Sequence, residues 1–233
     1  MDGERDYMMA IFHDLSDLSS VFNDQDYTVT QVGAAPLQGN KFVILLHGRR
    51  QAPEDIYEIG RRIDLDNITY LLPSAPGKTW YPSGFQRELE QNQPHVDRAL
   101  AYIKRLVQYL LERDVPANNI WLMGFSQGAC IGSQYLFSSR DKLGGALLFT
   151  GGLFGPEVNL ASSESNCLAK MPILLTGSTT DSWVPEARVR DTACLFRKLG
   201  ASVQEEIFSE RDHLVSEQEI DIARDWLTAT QVA

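Results

Sequence analysis

The sequence predicts an α/β protein in three layers, a mostly parallel central sheet flanked by helices on both faces. Three observations carry this expectation. Short runs at residues 42–46, 120–124 and 173–177 are almost wholly apolar, as strands buried on both faces are. Between such runs lie amphipathic stretches with helical spacing, and alternating strands and helices imply a parallel sheet with right-handed crossovers. The length of 233 residues suits one α/β domain, 1–233, whose core needs no disulfide or metal staple.

Taken in order, residues 1–27 are the least regular part. Ala10, Ile11 and Phe12, with Leu15, Leu18, Val21 and Phe22, fit either a helix or an extension, and an antiparallel edge strand is expected near 27–32. Strand 42–46 is followed by helix 53–63 and strand 69–72. The plainest helix is 94–113, where Val96, Leu100, Ile103, Val107, Leu110 and Leu111 recur at three- and four-residue steps. Pro94 suits its first turn. Strand 120–124 leads into helix 127–138, then come strands 146–150 and 173–177. Helix 185–199 stops at Gly200, and strand 203–208, expected like the others to be buried on both faces, and helix 216–229 close the chain.

Composition removes several function classes. Asp and Glu number 31 against 21 Lys and Arg, a formal charge of -10, which opposes binding to a phosphate backbone unless cations cluster. They do not: the pairs Arg49-Arg50 and Arg61-Arg62 are isolated. Three cysteines, Cys130, Cys167 and Cys194, form no C-x-x-C pair, a poor disulfide or zinc framework that points to a reducing, cytoplasmic setting. The acidic start lacks the pattern of a signal peptide, and no apolar run reaches bilayer-spanning length. No nucleic acid or stable membrane insertion is expected.

The chemistry centres on Gly124-Phe125-Ser126-Gln127-Gly128. This G-x-S-x-G joins an apolar strand to a helix, the context of a nucleophile elbow, in which a strained turn lifts the serine hydroxyl above the sheet. A serine is a weak nucleophile and needs a histidine base with an acid to orient it. Of the four histidines, His13 and His95 suit solvated structural roles. His47 suits bracing of the loop it begins. His213 lies between the last strand and the last helix, where the α/β-hydrolase order Ser, Asp or Glu, His puts the base. Asp181 follows strand 173–177 and is the favoured acid, its alternative role being a helix cap; Asp141, Asp191 and Asp212 fit less well. The oxyanion donors are expected to be the backbone N–H of Gln127 and, from the loop Leu45-Leu-His-Gly-Arg-Arg50, that of Arg49. Whether the arginine side chains act in the site or are solvated charges stays open.

At these residues the chain resembles the phospholipase/carboxylesterase family of α/β-hydrolases, which includes acyl-protein thioesterase-like enzymes and is distantly similar to dienelactone hydrolases. The likeness runs in order through Leu46-His-Gly with Glu54-Asp55, Pro73-x-Ala-Pro-Gly-x-x-Trp-Tyr-Pro82, Leu89-Glu-Gln-Asn92, Gly124-Phe-Ser-Gln-Gly-Ala129, Thr150-Gly-Gly152, Gly177-x-x-x-Asp-x-x-Val-Pro185 and Asp212-His213. It implies a cofactor-free serine hydrolase of carboxylic esters or thioesters, often dimeric. By its motifs, Ser126, Asp181 and His213 form the triad, with Arg49 and Gln127 as oxyanion donors.

Two departures stand out: Arg50 replaces the second glycine of the family's His-Gly-x-Gly, and Asp212 replaces a glycine before the histidine. Trp80, Tyr81 and Trp183 are candidate substrate contacts, although Trp80 could equally be core and Trp183 is open between the two roles. Cys130 suits a packed small residue better than a second nucleophile. Two other readings share the scaffold, a lactone or dienelactone-type hydrolase and a small-ligand-binding protein without turnover. Enzymes resembling dienelactone hydrolase proper commonly use cysteine where Ser126 stands.

Overall fold

The structure, a computed structural model, describes residues 13–22, 26–37, 40–159 and 166–229. Among the described residues seven strands make one sheet: β1 (Thr28–Gly33), β2 (Lys41–Leu46), β3 (Ile68–Ser74), β4 (Ile120–Phe125), β5 (Gly145–Phe149), β6 (Pro172–Ser178) and β7 (Ser202–Phe208). Their order is β1-β3-β2-β4-β5-β6-β7. Only β1 is antiparallel, pairing with β3, and every other neighbouring pair is parallel.

The strands alternate between two cores, which explains why they read as continuous apolar runs. In β2, Phe42, Ile44 and Leu46 enter one core while Val43 and Leu45 enter the other; in β4, Ile120 and Leu122 oppose Trp121, Met123 and Phe125. The first core holds α3 (His95–Leu111), α4 (Gln127–Ser139) and α5 (Glu186–Lys198), with Ile103, Ile131 and Phe196 among their buried residues. The second holds α2 (Pro53–Ile63) and α6 (Glu217–Ala229) through Ile56, Ile63, Ile220 and Leu227. Helices therefore cover both faces, the three-layer arrangement that the alternation implied. The helix starts also follow expectation: Pro94 is the N-cap of α3, and Ser216 and Glu219 exchange bonds across the first turn of α6 in a capping box.

Strand β7 and residue His13 differ from the sequence expectation. Strand β7 is not buried on both faces; its residues after Ser202 are half-buried, because it is the far edge of the sheet and pairs with β6 alone. Glu205 on this edge meets Arg190 and Arg197 of α5 at 2.7 and 3.0 Å. Near the start, helix α1 (Leu18–Phe22) is short, and Ala10, Ile11 and Phe12 lie outside the described residues. Leu15, Leu18 and Phe22 are buried in the first core, while Val21 is 45% exposed. Polar bonds dock the same segment on α3: Asp17 pairs with Arg113 at 2.7 Å and accepts from the Tyr109 hydroxyl. His13 is buried rather than solvated, edge-on to Phe42, with Nδ1 2.8 Å from Arg113 O.

Candidate active site

Ser126 is the single residue between β4 and α4, and its backbone is strained, with φ 52° and ψ -114°. Holding a non-glycine residue there costs about 1–3 kcal/mol. Neighbouring strands hold it in place: Ser126 N–H donates to Phe149 O at 2.9 Å. The flanking glycines are a matter of clearance. A Cβ on Gly128 would stand 1.9 Å from Leu46 O, and one on Gly124 would stand 2.6 Å from the Gly128 backbone. Without side chains at these two positions, the end of β2 can lie against the elbow, and the loop after β2 reaches Ser126.

His213 comes from the loop between β7 and α6. Its Nε2 is 2.8 Å from Ser126 Oγ and its Nδ1 is 2.6 Å from Asp181 Oδ2. An ionised carboxylate only accepts, so Nδ1 carries the proton; Nε2 is left with a lone pair and the serine hydroxyl donates to it. The other Asp181 oxygen, Oδ1, accepts from the N–H groups of Trp183 at 2.8 Å and Val184 at 3.0 Å. Burial raises the Asp181 pKa, but the bonds from His213, Val184 and Trp183 together outweigh it and hold the carboxyl below its ordinary value. Thus Asp181 caps the turn before α5 and orients His213 with the same carboxylate. The aspartate beside the histidine, Asp212, has no positive φ, so the chain needs no glycine there.

The two residues expected to supply oxyanion donors, Arg49 and Gln127, line the same cleft as Ser126. Gln127 is the first residue of α4, where backbone N–H groups have no intrahelical acceptor. Among the described residues nothing accepts the Arg49 N–H either. The Arg49 side chain is engaged in structure: its guanidinium donates to the carbonyls of Tyr81, Pro82 and Ser83 at 3.1, 2.9 and 2.6 Å. Arg50 has φ 62°, a conformation that disfavours every residue but glycine by about 1–2 kcal/mol. A backbone bond from Arg50 N–H to Lys78 O, 2.8 Å, fixes that conformation.

A cleft of about 800 Å³ opens over Ser126 and His213, with Tyr81, Phe85, Phe125 and Trp183 among its lining residues. Trp183 is 72% exposed at its edge. Trp80, a candidate substrate contact from sequence, is instead fully buried and not part of the lining. Its indole N–H donates to His47 O and its ring lies 4.9 Å from the His47 ring, so it is a strut beneath the site. His47 also braces: Ala75 N–H donates to Nε2, so Nδ1 is protonated and donates to Gly48 O. Burial lowers its pKa, keeping it neutral. Cys130 is buried at the base of the cleft, and burial pushes its thiol up to about 11, so it is no thiolate nucleophile near neutral pH.

Several supporting residues escaped sequence reasoning. The Gln127 side chain accepts from Trp80 N–H and donates to Tyr81 O, at 2.9 and 2.8 Å, locking the cleft wall onto α4. Buried Asn92 accepts from Ser83 N–H and donates to Gly84 O. Arg188, also buried, donates to the carbonyls of Leu153, Gly155 and Pro156 and so places Phe154 against Tyr81. Arg211 donates to Asp212 O and Leu214 O on either side of His213, and to Thr150 Oγ1. The motif around Leu89–Asn92 is the only one of these signals visible locally; the other partners are remote in sequence. Among the described residues, no group of three or more His, Cys, Asp or Glu could hold a metal ion, and no helix is long and apolar enough to cross a membrane.

Residues 28–231 match the profile of a family described as Phospholipase/Carboxylesterase. Among curated relatives, acyl-protein thioesterase 1 homolog 2 of Dictyostelium discoideum is 26% identical over 161 residues, covering 61% of this chain and 70% of that protein. A solved phospholipase/carboxylesterase from Dyadobacter fermentans superposes with a TM-score of 0.80 at 30% identity, over 86% of this chain and 95% of that one. The Bacillus cereus carboxylesterase shares the fold, with a TM-score of 0.70 at 19% identity over 88% and 94% of the two chains. The match extends from the edge strand β1 through helix α6, and on that extent the chain belongs to the phospholipase/carboxylesterase family of α/β-hydrolases and is a carboxylic ester hydrolase.

Proposed function

We propose that the protein hydrolyses carboxylic esters or thioesters through Ser126, His213 and Asp181, by way of an acyl-enzyme. The observation that carries this reading is the continuous hydrogen-bond chain from Asp181 Oδ2 through the His213 ring to Ser126 Oγ, 2.6 and 2.8 Å long. As Ser126 Oγ attacks the acyl carbonyl, its proton passes to His213 Nε2, and the buried Asp181 carboxylate stabilises the imidazolium that forms. The tetrahedral oxyanion is met by the N–H groups of Arg49 and Gln127. His213 then returns the proton to the departing alcohol or thiol. A water entering the vacated side gives its proton to Nε2 and attacks the acyl-enzyme, and on collapse His213 passes that proton to Ser126 Oγ, releasing the carboxylic acid and free Ser126. No step calls for a metal or an organic cofactor.

The test pairs a fluorophosphonate probe with a chromogenic short-chain ester. Wild type labels at Ser126 and turns the ester over; Ser126→Ala does not label and loses about a millionfold in kcat while its urea midpoint stays near wild type. Full activity in folded Ser126→Ala refutes the assignment. Absence of both labelling and turnover in wild type would instead favour a ligand-binding scaffold.

A further inference from the structure

We propose that the cleft selects substrates carrying a carboxylate, in either the acyl or the alcohol portion, and that the Arg50 guanidinium is the group that meets it. The proposal rests on the ester hydrolase reading of Ser126 and extends it to a substrate class.

Four observations converge on Arg50. It lines the cleft together with Ser126 and His213 and is exposed. Its side chain has no hydrogen-bond or ion-pair partner among the described residues, whereas neighbouring Arg49 spends its guanidinium on three carbonyls. Its backbone is held at φ 62°, where glycine would be free of strain, so the side chain persists against a local cost. Finally, among the described residues no Asp or Glu lines the cleft, in a chain whose formal charge is -10. The nearest acidic residues in sequence, Glu54 and Asp55, lie on α2 outside the lining, and Asp55 is engaged by Ala52 N–H. The one carboxylate of the machinery, Asp181, has its side chain fully buried behind His213.

An exposed positive charge in a cleft whose other described lining residues include no carboxylate has a definite chemical preference. Exposed Arg50 has its guanidinium donors available, and a carboxylate matches the planar guanidinium fork. Tyr81, Phe85 and Trp183, which also line the cleft, suit the methylene spacer between such a carboxylate and the scissile ester. A long uncharged fatty chain would leave the guanidinium facing apolar surface without a counter-charge.

The experiment compares matched ester pairs by proton release at low and high ionic strength. Monomethyl adipate against methyl hexanoate tests an acyl-side charge; the butyrate ester of 4-hydroxybutanoate against butyl butyrate tests an alcohol-side charge. Wild type should prefer the charged member of at least one pair by about tenfold in kcat/KM, and salt should shrink the preference. In Arg50→Gln and Arg50→Gly the preference should fall to within about twofold, while Arg50→Lys should retain most of it. Adipate binding followed by calorimetry in Ser126→Ala, with and without Arg50→Gln, reads the subsite independently of turnover. Equal preference in wild type and Arg50→Gln, together with unchanged adipate affinity, overturns the proposal even where esters are hydrolysed. Weaker adipate binding in the Arg50→Gln background supports the subsite even if no ester is turned over, in which case the hydrolase reading is the one that fails.

Discussion

Replacing Arg211 by methionine tests how the base is held in position. Arg211 is 8% exposed and its guanidinium reaches in three directions, to Thr150 Oγ1 at 2.8 Å, to Asp212 O at 2.8 Å and to Leu214 O. Its Nε lies 3.4 Å from Glu219 Oε2, within ion-pair range but outside hydrogen-bond geometry. Removing one member of a buried pair costs about 3–5 kcal/mol because the survivor is left uncompensated. Glu219 here keeps bonds from Thr176 and from the Ser216 N–H and hydroxyl, so the lower end applies. Arg211→Met should therefore lose about 3 kcal/mol in urea unfolding. Its kcat should fall about ten- to a hundredfold with KM little changed, since the two carbonyls released flank His213 and small displacements of a proton-transfer group are costly. Adding Glu219→Gln in that background should recover about 1 kcal/mol, the signature of coupled sites. A variant that loses the stability but keeps wild-type kcat would show that His213 is positioned without Arg211.

Two further outcomes follow from the site. The Asp181 carboxyl is held below its ordinary value, so the unfolded chain takes up its proton first; the stability this group contributes is complete above its unfolded value near pH ~4 and is lost as pH falls through its lower folded value. Urea midpoints between pH 3 and 7 should fall on the acid side less steeply in Asp181→Asn than in wild type, and kcat of that variant should drop about ten-thousandfold from the wrong imidazole tautomer. Identical acid limbs in the two proteins would contradict the hydrogen bonding assigned to Asp181. Trp183→Ala removes a side chain that is 72% exposed yet lines the cleft, so stability should change by less than about 0.5 kcal/mol while KM rises for esters that reach the cleft edge. An unchanged KM across acyl lengths would remove Trp183 from the substrate surface.

Much of this protein was legible in the sequence because the signals were local. Apolar runs flanked by amphipathic stretches announced the strands and helices, since the two-residue pleat and the 3.6-residue turn leave their mark on neighbouring positions. The elbow around Ser126 carried its own physical requirements, two glycines beside a strained residue, and chain order pointed to Asp181 and His213. In β7 the polar Gln204, Glu205 and Glu206 suit the edge position the strand occupies, so an expectation of burial on both faces fails there, and His13 reads as solvated but packs against Phe42.

The tertiary structure decided what each side chain near the site does. Trp80 and Tyr81 are adjacent in sequence, yet one is a buried strut under His47 and the other a cleft wall. Arg49 and Arg50 are likewise adjacent, and the first clamps three carbonyls while the second lines the cleft without a side-chain partner among the described residues. Arg211, Arg188 and Asn92 anchor loops through carbonyl, hydroxyl and N–H partners that no spacing rule connects to them. Periodicity and motifs record the geometry of a few consecutive residues; which polar groups meet in the interior depends on how distant segments close, and the need to satisfy every buried donor and acceptor fixes those partners only once the chain has folded.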